Sequence, residues 1–330
     1  MSISERLDRT QQRHPVLGFP IACFYKFFDD FGNYLAATMT YYAFVSMVPL
    51  LLLASTLLSV ILVGHPGLQR QLLNSALAQF PVVGSQLKTP SALAGSPLGV
   101  IAGGLVAVYG GLGAAQALQY AGNTIWHVPR NSRPNPFLAR GRSLMLLATA
   151  GLGMLVATIG SVVLRSMFQQ TLLLKVATNI GGAAIAMAVL LVAYQLAPKR
   201  HLTLAQLWVG ALLAAVLLQL LQTFGFLYVE RVIKHATDTN AVFAIFLGLV
   251  GYLYLAAVIL VLGMEVDVVR AERLWPRALL TPFTDNVVLT RADQTAYAGQ
   301  AKAQRAKGFQ EIDVRFEPGG GNDGDSGDDQ

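Results

Sequence analysis

The chain has 330 residues, of which 54% are hydrophobic and only 13% are charged, and its formal net charge is +6. A soluble chain of this length normally carries about twice that share of charged residues. No Asp or Glu occurs from residue 31 to residue 229, so that stretch cannot hold a pair of catalytic carboxylates or a metal site built from several of them. Cys23 is the single cysteine, and the five histidines share no ligand-spaced motif. We therefore expect no catalytic residue, no metal site and no cofactor.

Six apolar stretches, each long enough to cross a bilayer, lie between ionisable residues. A charge or an unpaired backbone amide is costly in hydrocarbon, so a spanning segment must be a helix of about 20 residues without exposed charge. The stretches hold 34 residues between Asp30 and His65, 38 between Lys88 and His127, 22 between Arg142 and Arg165, 23 between Lys175 and Lys199, 28 between His201 and Glu230, and 26 between Asp238 and Glu265. The sequence thus predicts an all-α membrane protein with six transmembrane helices.

The basic residues are distributed unevenly between the two sides of this predicted bundle. The side that carries both termini holds 18 of the 24 Lys and Arg residues, and the other side holds six. Because Lys and Arg accumulate in cytoplasmic connections, both termini are predicted to be cytoplasmic. Topology also accounts for the basic pI of about 9.5, so no nucleic-acid partner is expected.

Three regions follow from the position of the spans. They are a cytoplasmic N-terminal segment (residues 1–32), the six-helix transmembrane domain (33–268) and a cytoplasmic tail (269–330). Short amphipathic surface helices are predicted from Val16 to Phe28 and from Leu68 to Phe80. The last predicted helix continues to Trp275, and the Gly-rich acidic run from Pro318 is predicted to be disordered.

Polar side chains recur along the first predicted spanning helix. Thr38, Tyr42 and Ser46 have helical i, i+4, i+8 spacing, Tyr41 lies beside them, and Pro49 follows one turn further on. Proline cannot donate a backbone hydrogen bond, so a kink is expected at this point. Two interpretations are open. A neighbouring helix satisfies these groups, which is common in membrane helices, or the stripe lines a polar cavity.

The second predicted spanning helix is rich in glycine. It contains two pairs of small residues in which three other residues separate the members, Gly99 with Gly103 and Gly111 with Ala115. This pattern lets helix backbones approach closely. Close packing is the favoured interpretation. A hinge is the alternative, since clustered glycines also permit bending.

Five polar residues are predicted to lie at one level near the cytoplasmic boundary. Asp29 and Asp30 precede the first span, Asn123 and Arg140 follow the second, and Glu265 ends the sixth. We expect them to form an ion-paired polar ring. The basic connection that contains Arg140 contacts lipid headgroups in general through its positive charge, or it forms a specific site for an anionic headgroup.

Four segments together resemble a known family over about residues 16 to 270. They are AATMTYYAFVSMVPLLLL (Ala36 to Leu53), Asn123, Ile125 and Trp126 with the basic loop to Arg142, Tyr194 with Pro198, and YLYLAAVILVLGMEV (Tyr252 to Val266). This pattern resembles the YihY/BrkB virulence factor family, whose members are sometimes labelled ribonuclease BN-like. The resemblance implies a multi-pass protein of the bacterial inner (plasma) membrane with both termini in the cytoplasm. It also implies a link to envelope integrity, serum resistance and, in one branch, lipid export.

Functions of three classes can be compared on these observations. Transport of an envelope lipid or a small solute agrees with the polar stripe, the glycine-rich helix and the charged ring, with membrane lipids as partners and a homo-oligomer as one arrangement. The alternative is a non-catalytic scaffold for envelope assembly that docks through its tail. A ribonuclease needs metal ligands or a positioned acid–base pair, and the predicted bundle offers neither, so we expect no enzyme.

Overall fold

The structure is a computed structural model that describes residues 11, 15–61, 97–167, 172–235, 238–279, 281 and 287–316. The regular secondary structure of these residues is entirely helical. The α-helices are α1 (Pro15–Asp29), α2 (Gly32–Ile61), α3 (Pro97–Ile125), α4 (Pro136–Met167), α5 (Leu172–Leu196), α6 (Leu204–His235), α7 (Asp238–Glu272) and α8 (Arg291–Ala303). The predicted all-α class is therefore confirmed for the described part of the chain.

The six helices from α2 to α7 contain 25 to 35 residues each, and each coincides with one predicted span. At 1.5 Å per residue even the shortest is about 37 Å long, which exceeds the hydrocarbon thickness of a bilayer. Within the described residues, two stretches are both long and apolar enough to cross a membrane, Leu204–Gly225 in α6 and Phe246–Glu272 in α7. A shorter apolar stretch, Ile180–Leu196, lies in α5. The six-span topology itself stays a prediction.

These six helices form a closed ring. Each helix from α2 to α6 packs against the next one in the chain, and α7 packs back against α2. Helix α3 also contacts α7, so these two helices approach each other across the ring. Helix α4 packs only against its neighbours α3 and α5 among the principal helix contacts, which places it on the side of the ring away from α7.

Helix α1 and the tail cover one end of this ring. Helix α1 packs against α7 and α2, with Cys23, Lys26 and Phe27 buried and with Phe24 and Phe28 exposed. The tail lies over the same end, because the side-chain amide of Gln300 donates to the carbonyl of Asp29 at 2.6 Å. We call this end, where α2, α4 and α6 begin and α3, α5 and α7 finish, the capped end.

Sequence reasoning located α1 to within one residue at each end, but it missed α8. The sequence predicts that α7 reaches Trp275, whereas α7 ends at Glu272. The missed helix does have a sequence signal. Thr290 caps its first turn and forms a reciprocal capping box with Asp293, a Thr-x-x-acid pattern that marks helix starts. The predictions for Leu68 to Phe80 and for the run from Pro318 lie outside the described residues.

Candidate functional site

Two members of the polar stripe in α2 pack against glycines of α3. The backbone of Gly110 lies against Ser46, where an added Cβ atom would come within 2.6 Å of the serine Cβ. At Gly113 an added Cβ would overlap the ring of Tyr42. Ser46 is buried, and its hydroxyl donates to the carbonyl of Ala43 at 3.0 Å. Tyr42 and Ser46 therefore face a close helix contact.

The rest of the stripe is satisfied locally or faces outward. The Thr38 hydroxyl is exposed and donates to the carbonyl of Tyr34 at 2.9 Å, and 63% of Tyr41 is exposed. Pro49 lies inside the continuous helix α2, with its side chain outside the described part of the structure, so the kink stays a prediction. This geometry favours the packing interpretation of the stripe over the cavity interpretation.

The Gly113→Ala variant tests this contact. We expect its free energy of unfolding to fall by about 1–3 kcal/mol, because the new methyl group must displace the Tyr42 ring. Gly151→Ala in α4 is the matched control, since no atom lies within 4 Å of its added Cβ. Alanine favours a helix over glycine, so this control should be stabilised by up to about 1 kcal/mol. Thermal unfolding in detergent that shows equal stabilisation of both variants would rule out the tight contact.

A buried group of charges lies between α1, α3 and α7 at the capped end. The ammonium of Lys26 is hydrogen-bonded to Asp30, donates to the carbonyl of Ile125 at 3.1 Å and lies 3.5 Å from Oε2 of Glu265. The ionisable side chains of Lys26, Asp30 and Glu265 are at most 2% exposed. His127 adds its Nε2 atom at 3.6 Å from Oδ1 of Asp30 and is 10% exposed. We call Lys26, Asp30, Glu265 and His127 the Lys26 cluster.

The local backbone explains how this cluster forms. Lys26 and Asp30 are four residues apart, so they lie on the same face at the end of α1. Phe31, the next residue, has a φ of 56°, which reverses the chain into α2, and His127 has a φ of 50° just after α3. Residues other than glycine adopt this left-handed conformation at a cost of about 1–3 kcal/mol, so the surrounding contacts must hold them there.

The electrostatics of the cluster favour an ionised Lys26–Asp30 pair. Burial by itself would raise the pKa of Asp30, but the Lys26 ammonium and the nearby imidazole of His127 outweigh it and the pKa is lowered. Burial would likewise lower the pKa of Lys26, but the carboxylates of Asp30 and Glu265 outweigh it and the pKa is raised. Glu265 is less well satisfied, because neither of its oxygens has a hydrogen-bond donor among the described groups.

A second buried ion network lies next to the first. The guanidinium of Arg277 is fully buried, donates to Oδ2 of Asp29 at 2.9 Å and is hydrogen-bonded to Asp293 of α8. The amide of Gln11 donates to the backbone carbonyl of Arg277. We call Arg277, Asp29 and Asp293 the Arg277 clamp. Because Asp29 and Asp30 are consecutive, the clamp and the Lys26 cluster share one turn of the chain.

The predicted polar ring is only partly reproduced by these two networks. Asp30 and Glu265 lie in the Lys26 cluster, and Asp29 lies in the Arg277 clamp. Asn123 is buried at the same end, but it accepts a hydrogen bond from the backbone amide of Lys199 at 2.8 Å and thereby fastens the end of α5 to α3.

Arg140 is not part of the group. It is exposed and forms none of the ion pairs between described residues, because it projects from α4, which packs on α3 and α5 away from α7. The cations are instead Lys26 and Arg277. The sequence analysis used both residues only in the count of basic residues that predicts the orientation in the membrane. The four-residue spacing of Lys26 and Asp30 is nevertheless a signal for an ion pair along a helix.

Helices α5, α6 and α7 meet in a seam that lies beside Glu265 along α7. The hydroxyl of Tyr194 donates to the carbonyl of Leu260 at 2.8 Å, and the backbone amide of Gly210 donates to Oδ1 of Asp267 at 2.7 Å. Gly263 lies against Tyr194 and the Gly210 backbone with no room for a larger residue. The seam fixes the direction in which the end of α7 projects, and therefore the position of Glu265.

The remaining connections are tied together at the same end. The Arg142 guanidinium donates to the carbonyl of Pro198 at 3.1 Å, and Arg200 lies over the ring of the buried Trp126 at 5.3 Å. Arg200 also pairs with Glu272 at 2.6 Å. Most of the segments on which the family resemblance depends thus converge at the capped end.

The comparison with protein families agrees with this arrangement. The family model described as Virulence factor BrkB matches residues 23–282, which is well over half of the chain. The chain belongs to the BrkB family. No curated protein and no solved structure gave a match. The BrkB match includes the whole Lys26 cluster as well as Arg277 and Asp29, and it ends before α8. Membership of the BrkB family, together with the apolar helices, indicates a membrane protein.

The Lys26→Met variant tests whether the cluster holds the capped end together. It removes the ammonium that lies between the buried acidic groups of Asp30 and Glu265, so we expect the free energy of unfolding to fall by about 3–5 kcal/mol. Lys199→Met is the control, because this side chain is exposed at the same end. Adding Asp30→Asn and Glu265→Gln to Lys26→Met should restore part of the loss. Equal effects of the Lys26 and Lys199 variants on thermal unfolding would contradict a buried ion cluster.

Proposed function

We propose that this protein is a six-span protein of the bacterial inner membrane with its capped end and both termini in the cytoplasm. We propose further that it takes part in transport of an envelope lipid or a small solute and that it is not an enzyme. The orientation is supported by the excess of Lys and Arg on the side of the termini. Membership of the BrkB family and the apolar helices support the membrane setting.

The Lys26 cluster is the observation that carries the transport proposal. Glu265 belongs to a candidate span, Phe246–Glu272, and yet it is fully buried. Ionisable residues at such positions are costly, and they usually mark the path of a substrate or an ion. The cluster and the Arg277 clamp together close the cytoplasmic end of the ring. Under this proposal a substrate that crosses between the helices requires these contacts to open.

Membrane lipids are the partners that the surface of α4 fits best. Its beginning carries the exposed apolar side chains Phe137 and Leu138, of which 81% and 60% are exposed, next to the exposed Arg140. Arg130 is also exposed in the connection before it. Apolar side chains beside free guanidinium groups suit acyl chains below anionic headgroups. The protein can act in this way as a monomer or as a homo-oligomer, and no nucleic-acid partner is required.

Transport is tested by the movement of fluorescent phospholipid headgroups between the leaflets of proteoliposomes. We expect the wild-type protein to accelerate this movement and Glu265→Gln to slow it about tenfold or more. Tyr42→Phe is the control, because it keeps the ring that packs on Gly113 and removes only the hydroxyl. If wild-type vesicles are no faster than protein-free vesicles for lipids and for a panel of small solutes, transport is excluded.

A scaffold is the second candidate, and the α2–α3 contact favours it. Tyr42 and Ser46 pack on glycines, so these polar groups have a structural role that needs no transport path. The tail also presents a docking surface, a shallow cavity of about 420 Å³ lined by Arg273, Trp275, Pro276, Thr290, Arg291, Ala292 and Thr295. A scaffold would use this surface to bind an envelope protein.

The two candidates respond differently to changes on the tail surface. Deleting residues 278–330 does not distinguish them, because Asp293 contacts Arg277 and Gln300 contacts Asp29, and the loss of these contacts would open the Arg277 clamp. The double variant Arg291→Ala and Phe309→Ala changes exposed side chains only. We expect it to keep wild-type resistance of cells to envelope stress if the protein is a transporter. Loss of resistance to the level of a deletion strain, with unchanged protein abundance, would favour the scaffold.

A further inference from the structure

Two acidic side chains of the Lys26 cluster share one ammonium group. One ammonium lies between two carboxylates, all three groups are at most 2% exposed, and Glu265 comes from a different helix than Lys26 and Asp30. A buried carboxylate that is not compensated by a cation is strongly unfavourable, and such a group usually takes up a proton. We propose that the Lys26 cluster is a binding site for one exchangeable proton and that Glu265 carries it.

The hydrogen bonds within the cluster identify the carrier. Asp30 is hydrogen-bonded to the Lys26 ammonium, which compensates its negative charge directly, and Nε2 of His127 lies 3.6 Å from its Oδ1 atom. Glu265 has the ammonium only at 3.5 Å, and both of its oxygens lack a hydrogen-bond donor among the described groups. Protonation gives Glu265 a neutral, fully buried side chain and leaves Lys26 and Asp30 as a matched pair.

The other titratable groups of α1 and of the turn before α2 do not compete for this proton. Burial, reinforced by the charge of Glu265, raises the pKa of the Cys23 thiol to about 12, so the thiol is neutral. Asp29 is paired with Arg277 at 2.9 Å. Lys26 is hydrogen-bonded to Asp30, whose carboxylate raises the pKa of the ammonium.

The remaining groups around α7 are also engaged elsewhere. On α7 itself, Oδ1 of Asp267 accepts from the Gly210 amide of α6, while its Oδ2 has no donor among the described groups, and Glu272 pairs with Arg200. From α5 the Tyr194 hydroxyl donates to a backbone carbonyl, and α2 contributes the phenol of Tyr42, which packs on α3. Arg270 of α7 donates to a carbonyl at the start of α6. Glu265 is thus the carboxylate of this region that has neither a donor nor a cation of its own.

His127 provides the connection to water. It is the most exposed member of the cluster, and its Nε2 atom faces Asp30 without a hydrogen-bond partner among the described groups. Release of the proton breaks the O–H bond of Glu265, leaves its electron pair on the carboxylate, and delivers the proton to water on the capped side, past His127. Uptake is the reverse step, so no other reactant is required.

Proton release changes the force between α1 and α7. When Glu265 is neutral, the Lys26 ammonium forms an ion pair with Asp30 alone. When Glu265 is ionised, two carboxylates compete for the same ammonium, and their like charges repel each other across the contact between α1 and α7. The proton site rests on the cluster alone. Its use as the coupling ion of transport rests on the proposed function.

Infrared titration of the full-length protein in lipid nanodiscs tests the site directly. We expect the wild-type protein to show the C=O band of a protonated carboxyl group that disappears as the pH is raised. Glu265→Gln should lack this band completely, and the control Glu272→Gln should keep its full amplitude. Persistence of the band in Glu265→Gln, or absence of any titrating carboxyl band in the wild-type protein, would overturn the proposal.

The wild-type protein also provides a test that needs no variant. Isotope labelling of glutamate carboxyl groups should shift the band, and labelling of aspartate carboxyl groups should leave it in place. A shift on aspartate labelling alone would place the proton on another residue and reject Glu265 as the carrier. These spectra do not depend on transport. A titrating glutamate band with no lipid or solute movement would refute only the proposed function, and transport without the band would refute only the proton site.

Discussion

The ammonium group of Lys26 is shielded from water and holds three separate parts of the chain together. It is bonded to Asp30 in the turn between α1 and α2 and to the carbonyl of Ile125 at the end of α3, and it lies beside Glu265 on α7. A lysine side chain is rarely buried unless its charge is compensated, so this arrangement requires all three elements to be in place at once. Helix α1 is consequently an integral part of the bundle and does more than lie on its surface.

The contact between α2 and α3 has a different physical basis. Inside a membrane, helices gain little from hiding apolar side chains, and close van der Waals packing takes over that role. Gly110 and Gly113 allow Ser46 and Tyr42 of α2 to lie directly on the α3 backbone. The bundle therefore combines buried ion pairs at its capped end with a close contact between α2 and α3 nearer its middle.

Much of the architecture follows from the sequence because it depends on composition. Long stretches without ionisable residues predict the six long helices, and an amphipathic pattern places α1 to within a residue. The positions of individual side chains around the ring are less accessible. Arg140 lies at the predicted position along the bundle axis. That position does not determine which neighbouring helix the side chain faces, and α4 directs it away from α7. A spacing of four residues likewise cannot distinguish a cavity lining from a contact with glycine, as Tyr42 and Ser46 illustrate.

The closed ring has a consequence for the order in which the protein is assembled. Its last contact forms between α7 and α2, so the helices that complete the circle are among the first and the last to leave the ribosome. Lys26 and Asp30 must wait at the membrane surface for Glu265, which is synthesised more than two hundred residues later. Asp29 waits in the same way for Arg277. The Lys26 cluster and the Arg277 clamp can therefore form only after α7 and α8 have been synthesised. Their formation is a late step of assembly.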